Sequence, residues 1–316
     1  MSELKANRKI YAEVLVTLGA ENPRIVATDA DVACSTGTGA FADAYPDRFY
    51  NFGAAEQNMM SAAAGMATCG LIPFASTFAT FASMRACEQV RQSIGYTHAN
   101  VKIVANNAGI ENNGDGVTHQ AIEDMAIMRA MPNMTVVCPS DNIVTEKAIK
   151  AIVEYQGPVY MRLGRYGAAP VHKEDVKFQL GKMIRVREGR DITIIATGRM
   201  VEIALRASEA LHEKGVDTRL LDCHTLKPID TQAVIEAAKE TEGIVTCEDH
   251  NIIGGLGSAV SEVLSEYAPA RMKRIGVNDT FARSARDYKN LFEKYGLTEA
   301  HIEKAALELL GKQEGL

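Results

Sequence analysis

Glu56 stands where an extended aromatic run, residues 48–52, gives way through Gly53 to a small-sided, helix-forming stretch. A carboxylate at the mouth of a buried helix is costly unless paired or hydrogen-bonded. Glu56 therefore reads either as an ordinary N-terminal acid complementing the helix dipole or as an acid with a dedicated partner. The polar loop 106–120 is punctuated by glycines and lies between an apolar strand and a helix, which is the character of an active-site loop. Within it Asp115 and His119 are spaced as neighbours on a turn, and histidine is the side-chain type that changes charge near neutral pH. A capping or surface histidine is the plainer reading. Asp31 follows the strand 24–28, at the position where open α/β sheets bind ligands, although turn capping explains such an aspartate equally well. Phe78, Phe81 and Met84 recur three apart, so the spacing puts them on one side of a helix, either as a core stripe or as a ring-stacking platform.

The elements that must hold these residues alternate. Helical periodicity covers 6–18, 121–130 and 142–154, and apolar strands cover 24–28, 101–105, 134–138 and 159–163. A second series follows, with strands at 191–196, 217–222, 244–247 and 272–275 and a helix over 200–214. Alternation of this kind implies parallel sheets covered on both faces. The fold class is α/β, with two α/β domains whose sheets are mainly parallel: residues 1–168, a charged linker at 169–189, and residues 190–316. The glycines 254, 255 and 257 follow a strand and precede a helix, but without dinucleotide-fingerprint spacing, so they read as a tight connection.

Composition narrows the function. A chain of 316 residues, 47% hydrophobic, can bury a large core. A net charge of −6 with no basic block argues against nucleic acid and anionic membrane as partners. No apolar run reaches membrane-span length and the polar start is not a signal peptide, so a cytoplasmic location is expected. The six cysteines are dispersed without a Cys-x-x-Cys pair, indicating reduced, mostly packed thiols rather than disulfides or zinc.

Taken together, the ordered set Ala55-Glu56-Gln57-Asn58, Phe78-x-x-Phe81, the loop 114–120 (Gly-Asp-Gly-Val-Thr-His-Gln), 157–165 and Glu248-Asp249-His250-Asn251 through Gly257 resembles transketolase. The resemblance spans essentially the whole chain and corresponds to the pyrimidine-binding domain followed by the C-terminal domain, the second half of a full-length enzyme. It implies the B subunit of a split transketolase, completed by a diphosphate-binding A subunit, in an A2B2 heterotetramer. The implied cofactors are thiamine diphosphate and Mg2+, the metal ligands lying on the partner. No metal site is expected on this chain, because Gly114-Asp115-Gly116 lacks the asparagine pair that completes the family's metal signature.

The resemblance also implies roles. Glu56 would hydrogen-bond the ring nitrogen of the aminopyrimidine, Phe78 and Phe81 would stack that ring, and Asp31 would lie near the cofactor. His119 and Asp115 would bind sugar hydroxyls, His119 also assisting proton transfer. Arg8, Ser35 and Arg165 match the residues that bind substrate phosphate, whereas the matching histidine is Asn107, which points to an unusual sugar phosphate or a sulfonated sugar. The implied reaction is transfer of a two-carbon ketol unit from a ketose to an aldose in pentose phosphate and carbohydrate metabolism. Rival readings are a deoxyxylulose-phosphate synthase, whose loop carries two consecutive histidines where this chain has His119-Gln120, a 2-oxoacid dehydrogenase beta-type subunit, and a non-catalytic regulatory subunit.

Overall fold

The alternation of apolar runs is realised as two sheets in the computed structural model, which describes residues 5–312. Residues 1–4 of the polar start and residues 313–316 of the 190–316 unit lie outside the described residues. The strands are β1 (Ile25–Asp29), β2 (Phe49–Asn51), β3 (Ile72–Phe78), β4 (Lys102–Asn106), β5 (Thr135–Val137), β6 (Val159–Arg162), β7 (Ile184–Arg187), β8 (Ile192–Ala196), β9 (Thr218–Asp222), β10 (Thr225–Lys227), β11 (Ile244–Asn251) and β12 (Met272–Val277). One sheet runs β10-β5-β6-β4-β3-β1-β2 and the other β12-β11-β8-β9-β7. Every pairing is parallel except β10 with β5 and β7 with β9. The two mainly parallel α/β units expected from the pattern are present.

Burial follows the period. Strands β1, β4, β6, β8 and β9 are buried at every residue, as a sheet covered on both faces demands. The helix Asn142–Glu154 starts where the Asp141 carboxylate accepts the Val144 N–H at 2.9 Å, and it presents Val144, Ala148, Ile149, Ile152 and Val153 to the core. Helix Glu56–Thr68 buries Met59, Met60, Ala63 and Ala64 against the sheet, but Gln57, Asn58, Ser61 and Gly65 remain exposed. The helix expected to be buried is therefore covered on one face within this chain.

The stretch 169–189, expected as a linker, is not free. Its end forms β7, an edge strand of the second sheet, and its start is pinned where the Val171 and His172 N–H groups donate to Asp141. His172 Nε2 lies 2.8 Å from Asp222. Burial alone would lower the His172 pKa, but the bonded Asp222 and nearby Asp141 outweigh it and the net shift is upward.

A strand and a charge cluster join the two units. β10 comes from the second unit yet caps the open edge of the first sheet on β5, and so removes an exposed edge. At the centre, the Arg162 guanidinium donates to Asp124 at 2.8 Å and to the Ala121 and Asp249 carbonyls at 3.0 and 2.8 Å. Tyr160 O–H donates to the same Asp124 oxygen at 2.8 Å. Beside this cluster β11 supplies Glu248, Asp249 and His250, all buried. Burial pushes Glu248 up to about 7 and Asp249 up to about 6, and drives His250 down to about 4.

Among the described residues no helix is long and apolar enough to cross a membrane, and no group of three His, Cys, Asp or Glu side chains is placed to hold a metal ion. Cys138, Cys223 and Cys247 are buried, Cys87 is half-buried, and Cys34 and Cys69 are exposed, so the thiols are packed in half the cases only.

The Asp124→Asn variant leaves the buried Arg162 without its counter-charge. We expect it to lose about 3–5 kcal/mol of stability in urea titration; a loss below about 1 kcal/mol would show that the guanidinium does not depend on that carboxylate.

Candidate active site

The candidate residues collect at one edge of the first sheet because parallel strands deliver their C-terminal ends to the same side. β1 leads to Asp31, β2 to Glu56, β3 ends on Phe78, β4 leads to Asn107, and β6 leads to Arg165. Two of these carry backbone strain. Asp31 has φ 66° and Asn107 has φ 56°, left-handed values that β-carbon-bearing residues adopt rarely and that cluster at functional sites.

Glu56 opens its helix with a carboxylate only 3% exposed. Its oxygens accept from Arg85 Nη1 at 3.1 and 3.2 Å, so the required partner within the chain is a guanidinium. Arg85 itself is half exposed, and its guanidinium carbon sits 4.0 Å from the centre of the Phe81 ring. The sequence does not single out Arg85, because an arginine next to Met84 is ordinary on a helix surface.

The helical stripe expected of Phe78, Phe81 and Met84 is corrected. Phe78 closes β3, whereas Phe81–Arg85 winds as a π-helix in which the Ala86 N–H donates to the Phe81 carbonyl at 3.0 Å. The two rings nevertheless stack, 6.0 Å apart and 30° from parallel, and both are half-buried rather than core. The His119 ring meets them edge-on, 5.1 Å from Phe81 and 5.9 Å from Phe78. The hydroxyls of Thr77 and Thr80 and Oε1 of Gln120, in the same segments, are buried without a partner among the described residues.

Asp115 does not touch His119. It pairs with Arg165 at 3.0 Å, and Arg165 also donates to the Asn112 side chain. His119 is held by Thr118 Oγ1 at 2.9 Å from Nδ1, and its carbonyl accepts from Asn112 Nδ2 at 3.0 Å. Asp31 is clamped by Asn51, whose Nδ2 donates to the Asp31 carboxylate and whose Oδ1 accepts the Asp31 and Gly53 N–H groups. Asn51 thus ties Asp31 to the loop before Glu56, and it escaped sequence reading because only pairing across strands reveals it.

Asp29, two residues before Asp31, is a buried cap whose oxygens accept from Val32 N–H, Thr36 and Thr38. The carbonyl of Arg8 lies against Gly37, two residues beyond Ser35, where a β-carbon would stand only 2.5 Å from it. Both side chains are half-buried, and Asn107 is buried.

The second unit holds the loop from behind. Asn113 and Ala285 exchange two hydrogen bonds, Gln120 Nε2 donates to the Arg283 carbonyl at 3.1 Å, and Ile110 N–H donates to Asp249 at 3.0 Å. Glu111, buried in the same loop, pairs with Arg199 of the second unit. Gly109 has φ 75°, and any β-carbon there would collide with Asp249, so the loop requires glycine at this point.

Two family models match the chain: transketolase, pyrimidine binding domain, over residues 4–170, and transketolase, C-terminal domain, over residues 181–302. A relative from Methanocaldococcus jannaschii, described as a putative transketolase C-terminal section, is 46% identical over 98% of both chains. The 6-deoxy-6-sulfo-D-fructose transketolase subunit SqwH of a Clostridium species is 43% identical over 96% of this chain and 94% of its own. Among solved structures, a split gene transketolase described as an inactive beta4 tetramer superimposes with a TM-score of 0.90 at 48% identity, covering 98% of this chain and 99% of that one.

The Asp115–Arg165 pair is partly exposed and so worth at most about 1 kcal/mol, weak enough for an incoming anion to replace it. In Asp115→Asn we therefore expect inorganic phosphate to raise Tm more than in the wild type, and adding Arg165→Gln to abolish the gain. An unchanged phosphate response would place Arg165 outside any anion site.

Proposed function

This chain belongs to the transketolase family, and we propose that it is the B subunit of a split, thiamine-diphosphate-dependent transketolase that moves a two-carbon ketol unit from a ketose to an aldose. The observation that carries this reading is the Glu56 carboxylate, buried at a helix start and bridged by Arg85 to the face of the Phe81 ring. With Arg85 moved aside, a flat, nitrogen-bearing ring would take a face from Phe81 and a hydrogen-bonding oxygen from Glu56.

When bound, thiamine diphosphate supplies a nucleophilic thiazolium carbon able to take up and release the ketol unit. This chain's residues do the rest of the work assigned here. Glu56 holds a proton at the ring nitrogen of the aminopyrimidine, and burial keeps water from competing for it. Phe78 and Phe81 fix the plane of the ring, with Asp31 beside the cofactor. His119, edge-on to both rings, moves a proton at a substrate hydroxyl, and Asp115 binds a second hydroxyl.

Arg165, Arg8, Ser35 and Asn107 hold the anionic end of the sugar. With asparagine at 107 that end is a phosphate of an unusual sugar or a sulfonate, and the 43% identity to a sulfofructose transketolase subunit favours testing both. The diphosphate and its Mg2+ are assigned to a partner A subunit, in an A2B2 assembly located in the cytoplasm. The exposed side of the helix Glu56–Thr68, with Ser61 and Gly65, supports a close contact between copies. Residues 1–168 and 190–316 are the working domain units.

The test is ketol transfer from xylulose 5-phosphate, and separately from 6-deoxy-6-sulfofructose, to ribose 5-phosphate with thiamine diphosphate and Mg2+. It is run with this chain alone and with a candidate A subunit. Activity is expected only in the mixture, and Glu56→Gln should cut kcat by about 10²–10⁴. Full activity in the Glu56→Gln mixture would remove Glu56 from the chemistry, and activity of this chain alone would overturn the split-site reading.

A further inference from the structure

Between the Glu56 carboxylate and the face of the Phe81 ring lies the guanidinium of Arg85, bonded to both carboxylate oxygens through Nη1 and 4.0 Å from the ring centre. A guanidinium is planar, carries its donors in its own plane, and stacks on aromatic faces. These are the two contacts that the proposed aminopyrimidine must make: a face on Phe81 and a hydrogen bond to Glu56. Two flat groups cannot share that space.

We propose that Arg85 is a placeholder for the cofactor ring: it satisfies Glu56 and covers Phe81 in the free site, and it swings out when the ring enters. This rests on the thiamine diphosphate reading above. Two features support the motion. Arg85 is half exposed, so its guanidinium is reachable from solvent. The arginine leaves from a π-helical turn, a winding frequently found at functional sites.

The placeholder answers a physical need. A carboxylate 3% exposed beside an aromatic wall would otherwise stand unpaired whenever the site is empty. The guanidinium keeps Glu56 aimed at the ring position, at the cost of competing for it. Because only molecules with Arg85 displaced can bind, apparent affinity is multiplied by the open fraction.

The experiment uses the assembled complex of this chain with its A subunit. Thiamine diphosphate binding by calorimetry is expected to be about tenfold tighter in Arg85→Ala, as it would be for a site open one-tenth of the time. In Arg85→Lys, which keeps the charge but loses the flat face, the gain should be smaller. Phenylglyoxal labelling of Arg85, read by peptide mass spectrometry, should rise when the cofactor is added, opposite to the protection given to an arginine that binds the ligand.

Equal or weaker binding in a folded Arg85→Ala complex, or labelling that falls on cofactor addition, overturns the placeholder while leaving the cofactor assignment intact. Should Arg85→Ala fail to assemble, the wild-type labelling decides alone. No thiamine diphosphate binding by the wild-type complex overturns the cofactor reading itself, and the placeholder with it.

Discussion

The interaction on which the rest depends is the buried Arg162 guanidinium. It stands at the end of β6 in the first sheet, where it meets the Asp124 carboxylate and the carbonyls of Ala121 and Asp249. Removed from water, a guanidinium tolerates that position only if its donors are met, and the groups that meet them come from different segments. Asp124 opens the helix after the 107–120 loop, Ala121 ends that loop, and Asp249 belongs to the second unit. One charge therefore fixes the end of the loop and its contact with the neighbouring sheet.

The site inherits its geometry from that constraint. With both ends of the loop held, its middle is braced by Asn113–Ala285, Gln120–Arg283 and Glu111–Arg199 across the unit boundary. His119 is delivered edge-on to the Phe78 and Phe81 rings as a result. The second unit makes no direct contribution to the aromatic wall. Its part is to hold the loop still, which the role proposed for His119 needs more than proximity in sequence.

On the opposite side of the aromatic pair, the charge logic is different. Glu56 is nearly inaccessible, yet its counter-ion is half exposed and stacked rather than packed. Asp124 and Asp222, by contrast, are met from buried partners.

Much of this was legible in the residues alone. Fully apolar runs alternating with amphipathic stretches specify parallel strands between helices, because each pattern can bury its apolar side in only one way. Glu56, His119 and Asp31 stood out as candidates by their places at strand ends and in a glycine-rich loop, and their roles came from the resemblance. Only the tertiary structure decided what those groups touch. Asp115 was spaced to meet His119 and instead meets Arg165; Phe78 was spaced to share a helix with Phe81 and instead ends a strand; residues 184–187, read as linker, complete a sheet. Arg85 and Asn51 were invisible as site residues, since an arginine late in a helix and an asparagine in an edge strand are ordinary at both places. The physical reason is the same throughout: local spacing governs which side of its own element a residue faces, whereas partners many residues apart are chosen by how strands, loops and the second unit pack around the charges that cannot be left unpaired.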